Sequence, residues 1–383
     1  MDEGMKACPA RKKCGGCDYQ GIAYGEQLQR KQQRMQELLG RFGHVEPIIG
    51  MEHPQGYRNK VHHVLGYDRR TGLVCGFYEK DSHRVVDVAD CMLEDAESQA
   101  IILTVKQLMP SFRLRAYDED QGTGFLRHIL VRRGFQSGEV MVVLVAAEPV
   151  FPGRQNFVRA LRERHPEITT IVLNVNNKRT SMVLSERNIP LYGPGFIRDT
   201  LCGCTFRISP TSFYQVNPVQ TEKLYACAVD FAGLTGRETV VDAYCGIGTI
   251  GLVASKRAAR VIGVELNPAA VEDAVRNARE NHVENVTFRQ GDAGRFLRDM
   301  AARHEHVDVV MMDPPRSGST QEFLGACATM KPTRIVYVSC GPDTLARDLA
   351  FLTGQGYRVE KIQPVDMFPW TAHTEVVVLM SRA

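Results

Sequence analysis

Apolar and polar positions along the chain follow two different rhythms. Residues 57–64, 73–78, 125–132 and 140–146 alternate with a period of two, which predicts strands, and turn signals such as Arg70-Thr-Gly72 separate them. Residues 170–174 and 181–184 predict two more strands and complete a mixed α+β module. Ahead of it, residues 23–42 carry helical spacing, with Leu28, Met35, Leu39 and Phe42 on one stripe and Arg30, Lys31, Arg34 and Arg41 mostly off it. From residue 239 the rhythm changes. Short β-branched runs at 239–243, 260–265, 286–290, 307–313 and 334–339 each give way to a helical segment, the signature of a parallel, doubly wound sheet, and 357–365 and 375–380 add two last strands. A Pro-flanked, aromatic and amide-bearing loop, residues 209–218, joins the halves and precedes a helix of about 14 residues from Val219. The expected division is 1–92, 93–208 and 209–383.

Composition narrows the class without naming a reaction. With 44% hydrophobic and 24% charged residues the 383-residue chain reads as ordinary and globular. No run approaches the ~20 apolar residues of a membrane span, and Met1-Asp-Glu-Gly-Met-Lys6 lacks the apolar core of a signal peptide, so a cytoplasmic protein without membrane partners is expected. Eleven cysteines, an odd number without a secretory signal, argue against a disulfide framework and for metal or catalytic thiols. Residues 1–220 hold 29 Lys and Arg against 24 Asp and Glu, whereas residues 221–383 hold 18 against 20. A basic front half suits a polyanion, and equally an ordinary solvated surface.

Three thiols open the chain, Cys8, Cys14 and Cys17, with Gly15 and Gly16 allowing a tight loop and Lys6, Arg11, Lys12 and Lys13 around them. A fourth soft ligand comes from Cys75 or Cys91, and Cys91 is preferred because it lies between a strand-like run and a helical one. Tetrahedral sulfur ligation fits zinc and iron-sulfur clusters alike. On the strands that follow, Arg58, Lys60, His62, Arg127, His128, Arg132 and Arg133 interleave with Tyr57, Tyr67, Phe77 and Phe125, residues on which bases stack.

In the second half Asp242-Ala-Tyr-Cys-Gly246-Ile-Gly248-Thr249 is a strand, a glycine loop and a helix start. No Lys-Ser/Thr pair follows for a triphosphate, and Glu265 ends the next strand where it can take both hydroxyls of a ribose. Asp292, after the third strand, can meet an adenine amine. Dinucleotides and S-adenosylmethionine both use this arrangement, and the loop leans to the methyl donor. Asp313-Pro-Pro-Arg316 closes the fourth strand with a stiff, acidic loop. Cys340 ends the fifth, where an apolar run stops at Cys-Gly-Pro and Thr344 occupies the expected N-cap; a helix starting there favours a thiolate. A thiolate suits uracil chemistry, because C5 becomes nucleophilic only once a thiolate has added at C6.

These motifs, with Phe213-Tyr-Gln-Val-Asn217, Ser339-Cys340-Gly-Pro-Asp-Thr-Leu-Ala-Arg-Asp348 and His373-Thr-Glu375, resemble the RNA 5-methyluridine methyltransferases over nearly the whole chain. The resemblance implies a Rossmann-like α/β class I methyltransferase domain behind a mixed α+β RNA-binding module, S-adenosylmethionine bound by Gln215, Tyr244, Glu265 and Asp313, Cys340 as nucleophile and Glu375 as proton acceptor. Gly246, Gly248, Thr249 and Asp292 join the donor site, although Thr249 stands where relatives often have Asn. It further implies that Cys8, Cys14, Cys17 and Cys91 hold a [4Fe-4S] cluster, a feature of the ribosomal rather than the transfer RNA branch. The N-terminal RNA-binding barrel of many relatives has no room ahead of Cys8. The expected activity is methylation of uridine C5 in 23S ribosomal RNA by a monomer with no obligate protein partner. The alternatives are transfer RNA methylation and a non-catalytic RNA-binding assembly protein.

Overall fold

The computed structural model describes residues 8–11, 13–80, 82–178 and 182–382; Lys6, Lys12 and Ser181 lie outside them. The first half runs α1 (Tyr24–Leu39), β1 (Lys60–Asp68), β2 (Gly72–Tyr78), β3 (Val85–Asp87), α2 (Ala96–Leu108), β4 (Leu126–Arg133), β5 (Val140–Ala146), α3 (Arg154–Arg164), β6 (Ile168–Val175) and β7 (Asn188–Tyr192). A hairpin of β8 (Ile197–Leu201) and β9 (Cys204–Ile208) leads to α4 (Pro218–Ala232), β10 (Thr239–Ala243), α5 (Thr249–Ser255), β11 (Arg260–Glu265), α6 (Pro268–Glu280), β12 (Val286–Gln290) and α7 (Ala293–Ala302). The chain then continues through β13 (Val309–Met312), α8 (Gln321–Met330), β14 (Arg334–Ser339), α9 (Pro342–Gly354), β15 (Tyr357–Val365) and β16 (Glu375–Arg382). Among the described residues no helix is long and apolar enough to cross a membrane.

Strands β1–β7 form a mixed sheet in the order β3-β2-β1-β4-β5-β6-β7, in which only β5 and β6 pair in parallel. That sheet is continuous across residues 92 and 93. The predicted strand at 181–184 does not form among its described residues; β7, later in the chain, pairs with β6 instead. The reason is local: Asn176 Nδ2 donates to the carbonyls of Met182 and Val183 at 2.7 and 3.0 Å, and Asn174 Nδ2 to Ser185 O at 2.7 Å, which bends this stretch into a loop.

The second sheet has the order β12-β11-β10-β13-β14-β16-β15, with β10–β14 parallel. Its central strands are mostly apolar, as strands covered on both faces are, with Asp242 of β10 an exception, and Val309–Met312 is wholly buried. The last two strands depart from a parallel continuation. β16 inserts between β14 and β15 and runs antiparallel to both. The two halves are not separate bodies, since Leu130, Met141 and Val143 of the first sheet share one apolar core with Phe206, Leu224, Val240 and Val338.

Helix α1 packs on the second sheet, not the first: Met35 and Leu39 join the core that holds Ile335, Leu349 and Ile362. Its buried face runs Gln27, Lys31, Met35, Leu39, so Lys31 is inside rather than on the outer face. There its ammonium donates to Asp366 Oδ1 at 2.6 Å and Phe368 O at 3.1 Å, while Tyr24 donates to Asp366 Oδ2 at 2.7 Å. Both charges are fully desolvated. Removing one partner of such a pair costs about 3–5 kcal/mol, so Asp366→Asn is expected to lower the denaturation midpoint strongly, and adding Lys31→Met to recover most of the loss. Equal midpoints for Asp366→Asn and the parent protein in a urea titration would contradict this account.

Candidate active site

The carboxyl ends of β10–β14 meet at one edge of the second sheet, where a cavity of about 720 Å³ opens. Its wall carries five carboxylates, Asp242, Glu265, Asp292, Asp313 and Glu375, against the single guanidinium of Arg316 and the imidazole of His373. Such a wall suits a ligand that brings positive charge. Asp242, taking the Gly251 N–H at 2.8 Å, is pushed up to about 7 by burial and then by the charges of Asp313 and Glu265.

The loop after β10 shapes the floor. Tyr244 sits at φ +62°, a conformation rare for a side chain of this size, and is held there by its ring on Phe323 and its hydroxyl 3.0 Å from Ser319 Oγ. Gly246 (φ +55°) gives its N–H to Glu265 Oε2 at 3.0 Å, and a Cβ built there would meet no atom within 4 Å. Its bare side is open to a ligand. Gly248 (φ +84°) is different: it is not in the wall, and a Cβ there would stand 2.7 Å from the Phe288 ring, so this glycine lets α5 settle on the sheet. Glu265 also accepts the Asn267 N–H at 2.8 Å, and Asp292 caps α7 through Arg295 N–H at 2.8 Å, so both acids are fixed by backbone while their remaining lone pairs face the cavity. Gln215 and Thr249 complete this side. Tyr225, which motif reading passes over, stands behind Thr249 with its hydroxyl 3.1 Å from Oγ1; a tyrosine on the buried face of α4 signals such a partner.

At the other end of the cavity stand Cys340 and Glu375. Ser339 of β14 pairs with Val376 of β16, so the next residues outward, Cys340 and Glu375, face each other across the antiparallel ladder. Only the inserted strand brings them together. The Cys340 thiol is pushed up to about 11, by partial burial first and then by the charges of Glu375 and Asp313, against the pull of Arg316 and a backbone hydrogen bond. The thiolate expected from the helix start is therefore not the resting form. Helix α9 begins at Pro342 with Gly341 as its cap, and Thr344, one turn inside, donates to Gly341 O at 2.9 Å and Arg316 O at 3.1 Å. Burial also raises Asp313 and Glu375 well above the usual carboxylate range, and the charge of Asp313 lifts Glu375 further. Glu375 Oε2 is buried with no hydrogen-bond partner among the described residues.

A profile of the tRNA (uracil-5-)-methyltransferases matches residues 23–383. The chain belongs to this family. An uncharacterized RNA methyltransferase of Halalkalibacterium halodurans is 44% identical over 378 residues, 97% of this chain and 82% of that one. One from Caldanaerobacter subterraneus subsp. tengcongensis is 42% identical over 98% of this chain and 84% of its own. Among solved structures, the Pyrococcus abyssi tRNA (uracil-54, C5)-methyltransferase in complex with S-adenosyl-L-homocysteine superposes with a TM-score of 0.81 at 30% identity, over 96% of this chain and 86% of that one. The second sheet is thus the class I S-adenosylmethionine-dependent methyltransferase fold.

Elsewhere in this uracil-5-methyltransferase the predicted residues divide. Cys8, Cys14 and Cys17 lie within electrostatic reach of one another, and Cys17 within reach of Cys91, all four partly exposed. Cys75 is buried in the first sheet with its sulfur 3.7 Å from His63 Nδ1. Among the described residues no three His, Cys, Asp or Glu side chains converge on a site for a single metal ion.

Of the basic strand residues, Arg127 is buried against Glu119, with its nearest nitrogen at 2.7 Å, and bonds the carbonyls of Asn176 and Lys178; Arg133 pairs with Asp95 and Glu97. Arg132 is buried too and holds Ser212 O at 2.6 Å. Arg127 and Arg133 are thus internal ties, whereas Arg132 is tied through one guanidinium nitrogen only and keeps its Nε without a partner among the described residues. Of the aromatic residues, Tyr57 is buried and donates to Pro369 O, Phe77 packs on His63 and Phe125 on Phe151; Tyr67, 63% exposed, alone presents its ring to solvent.

Proposed function

We propose that this protein methylates C5 of a uridine in 23S ribosomal RNA through a covalent bond between Cys340 and the base. The observation that carries the reading is the placement of a thiol and a buried carboxyl opposite each other at the end of the acidic cavity. The residues fit the donor: Glu265 and Asp292 would hold its ribose and adenine, Gly246 leaves room for it, and the carboxylates balance its cationic sulfur. When bound, S-adenosylmethionine supplies the methyl group as an electrophile.

The target base has to leave its stack to enter such a cavity. Cys340 Sγ then adds to C6, its proton passing to water at the partly exposed thiol, and the electron pair of the C5–C6 bond becomes an enolate that makes C5 nucleophilic. The raised thiol pKa keeps Cys340 neutral, and so protected, until that moment. Once C5 carries the methyl group, Glu375 takes the C5 proton, the double bond re-forms and Cys340 is expelled. Its raised pKa makes Glu375 a stronger base than an ordinary carboxylate, and it acts in its ionised form, having released its own proton to solvent before it takes the one from C5.

The choice of ribosomal RNA rests on the N-terminal thiols. Cys8, Cys14, Cys17 and Cys91 would hold a [4Fe-4S] cluster, whose four irons each take one thiolate and so need sulfurs spread more widely than a single ion does. The cluster would tie the segment before α1 to the end of the β3 region, a structural role beside the RNA-binding residues 93–208, with chemistry confined to residues 209–383. The similarity to a transfer RNA enzyme favours the other substrate. Release of tritium from uracil-5-labelled RNA decides: turnover on ribosomal but not transfer RNA is expected, the reverse moves the protein to the transfer RNA branch, and release from neither leaves an RNA-binding protein without catalysis. For the cluster, anaerobically purified protein should be brown, and Cys17→Ser should bleach it and weaken RNA binding more than donor binding. Colourless protein with stoichiometric zinc would overturn that assignment.

A further inference from the structure

Strands β1 and β4 carry a row of basic side chains in which Lys60 and Arg132 are cationic, His62 and His128 are kept neutral by burial, and no acid of the described protein answers the charge. Residues directly opposite in a ladder share a face of the sheet, and Lys60 lies opposite Arg132, His62 opposite Leu130 and Val64 opposite His128. Lys60, His62, His128 and Arg132 therefore stand on one side, the side whose Leu130 and Met141 enter the core shared with the methyltransferase domain. The rings of His62 and His128 are 4.9 Å apart, and Arg58, two residues before Lys60, prolongs the row. Nearby acids are engaged elsewhere: Glu94 holds His63 on the opposite face at 3.0 Å, Asp95 caps α2 and meets Arg133, and Glu119 takes Arg127.

Four nitrogens of this row, Arg58 Nε, His62 Nε2, His128 Nδ1 and Arg132 Nε, are buried without a hydrogen-bond partner among the described residues. Arg132 and His128 are 4% and 6% exposed. Burying Lys60 beside the charges of Arg132 and Arg58 is unfavourable, and buried polar atoms are nearly always paired, so these cations with several unpaired nitrogens around them point to an anionic ligand. The row is also built into the cavity. Arg132 bonds the carbonyl of Ser212, Asn59 Nδ2 donates to Gln215 O at 3.0 Å and Asn59 N–H to Val216 O at 2.9 Å, and residues 213–216 line the donor cavity.

We propose that this row is a phosphate site, which takes the RNA backbone phosphate adjoining the uridine whose base enters the cavity. The inference rests on the uridine methylation proposed above. Tetrahedral oxygens accept from guanidinium, ammonium and imidazole donors at once, and a strand that gives up a base to a cavity must be held beside it. Lys60 makes no hydrogen bond within the described protein, so its removal strands no partner. It is the residue to change.

In the full-length protein, Lys60→Met should weaken binding of a 23S ribosomal RNA fragment about tenfold at low salt and make the slope of log affinity against log salt shallower by about 0.7. Donor affinity should not move. The melting temperature of the free protein should rise by a few degrees, because like charges are relieved; a merely structural lysine would lower it and leave the slope unchanged. Replacing single phosphates on either side of the target uridine by neutral methylphosphonates should cost the parent protein affinity at one position, and cost Lys60→Met nothing there. Equal salt slopes and equal sensitivity to the neutral linkages in the two proteins would overturn the site. If the parent protein methylated no RNA, the proposed activity would fall, while the two binding slopes would still decide the phosphate site.

Discussion

Cys340→Ala is expected to abolish methyl transfer, with kcat reduced on the order of 10⁴-fold or more and no RNA adduct of any kind. Without addition at C6 the uracil ring offers no nucleophilic carbon, so no other group of the site can take over part of the work. The thiol is half-buried at the cavity rim and caps no helix, so its loss should leave the fold intact. Donor affinity, set by the loops after β10, β11 and β12, should be unchanged. The checks are single-turnover methylation, denaturing gels of protein mixed with RNA, and a titration with donor. A covalent RNA complex formed by Cys340→Ala would show that another residue is the nucleophile.

Glu375→Gln should separate the two halves of the reaction. The amide keeps the shape of the side chain but cannot accept the C5 proton, so methyl transfer proceeds and elimination stalls, and steady-state turnover falls by about 10²–10⁴-fold. A methylated RNA joined to Cys340 should accumulate and survive denaturing electrophoresis. Burial and the charge of Asp313 make the carboxylate form of Glu375 costly, so the neutral amide should leave the melting temperature equal or higher. Normal turnover by Glu375→Gln would reduce Glu375 to a buried structural carboxyl.

What the sequence made legible were features whose causes are local. The apolar run before Cys340, the glycine loop after Asp242 and the acid at the end of β11 each announce a strand meeting the ligand edge, and the cavity collects them there. The partner of Cys340 is less legible, because it depends on the direction of β16. Yet one signal bears on it: the link from Val365 to Glu375 is shorter than the dozen or more residues a parallel crossover needs, so the last two strands had to form an antiparallel pair. Lys31 and Arg132 show the opposite limit. Each has the composition of a surface residue, and each is buried by a partner distant in sequence, Asp366 and Ser212, that no local pattern reveals.

The docking of α1 has a consequence for how this chain matures. Its lysine finds Asp366 at a separation of 335 residues, and the backbone N–H groups of Asp18 and Tyr19 donate to Trp370 O, a few residues before Glu375. A segment made early in synthesis thus has no surface to rest on until nearly the last strand has left the ribosome. Such long closures are slow, and the apolar stripe of Met35 and Leu39 stays uncovered in the meantime. Helix α1 seats on α9 and on β15, the strand that pairs with the one bringing Glu375 to Cys340, so the enzyme becomes competent for catalysis only as its late folding step is completed, and a truncated chain would be both inactive and prone to aggregate.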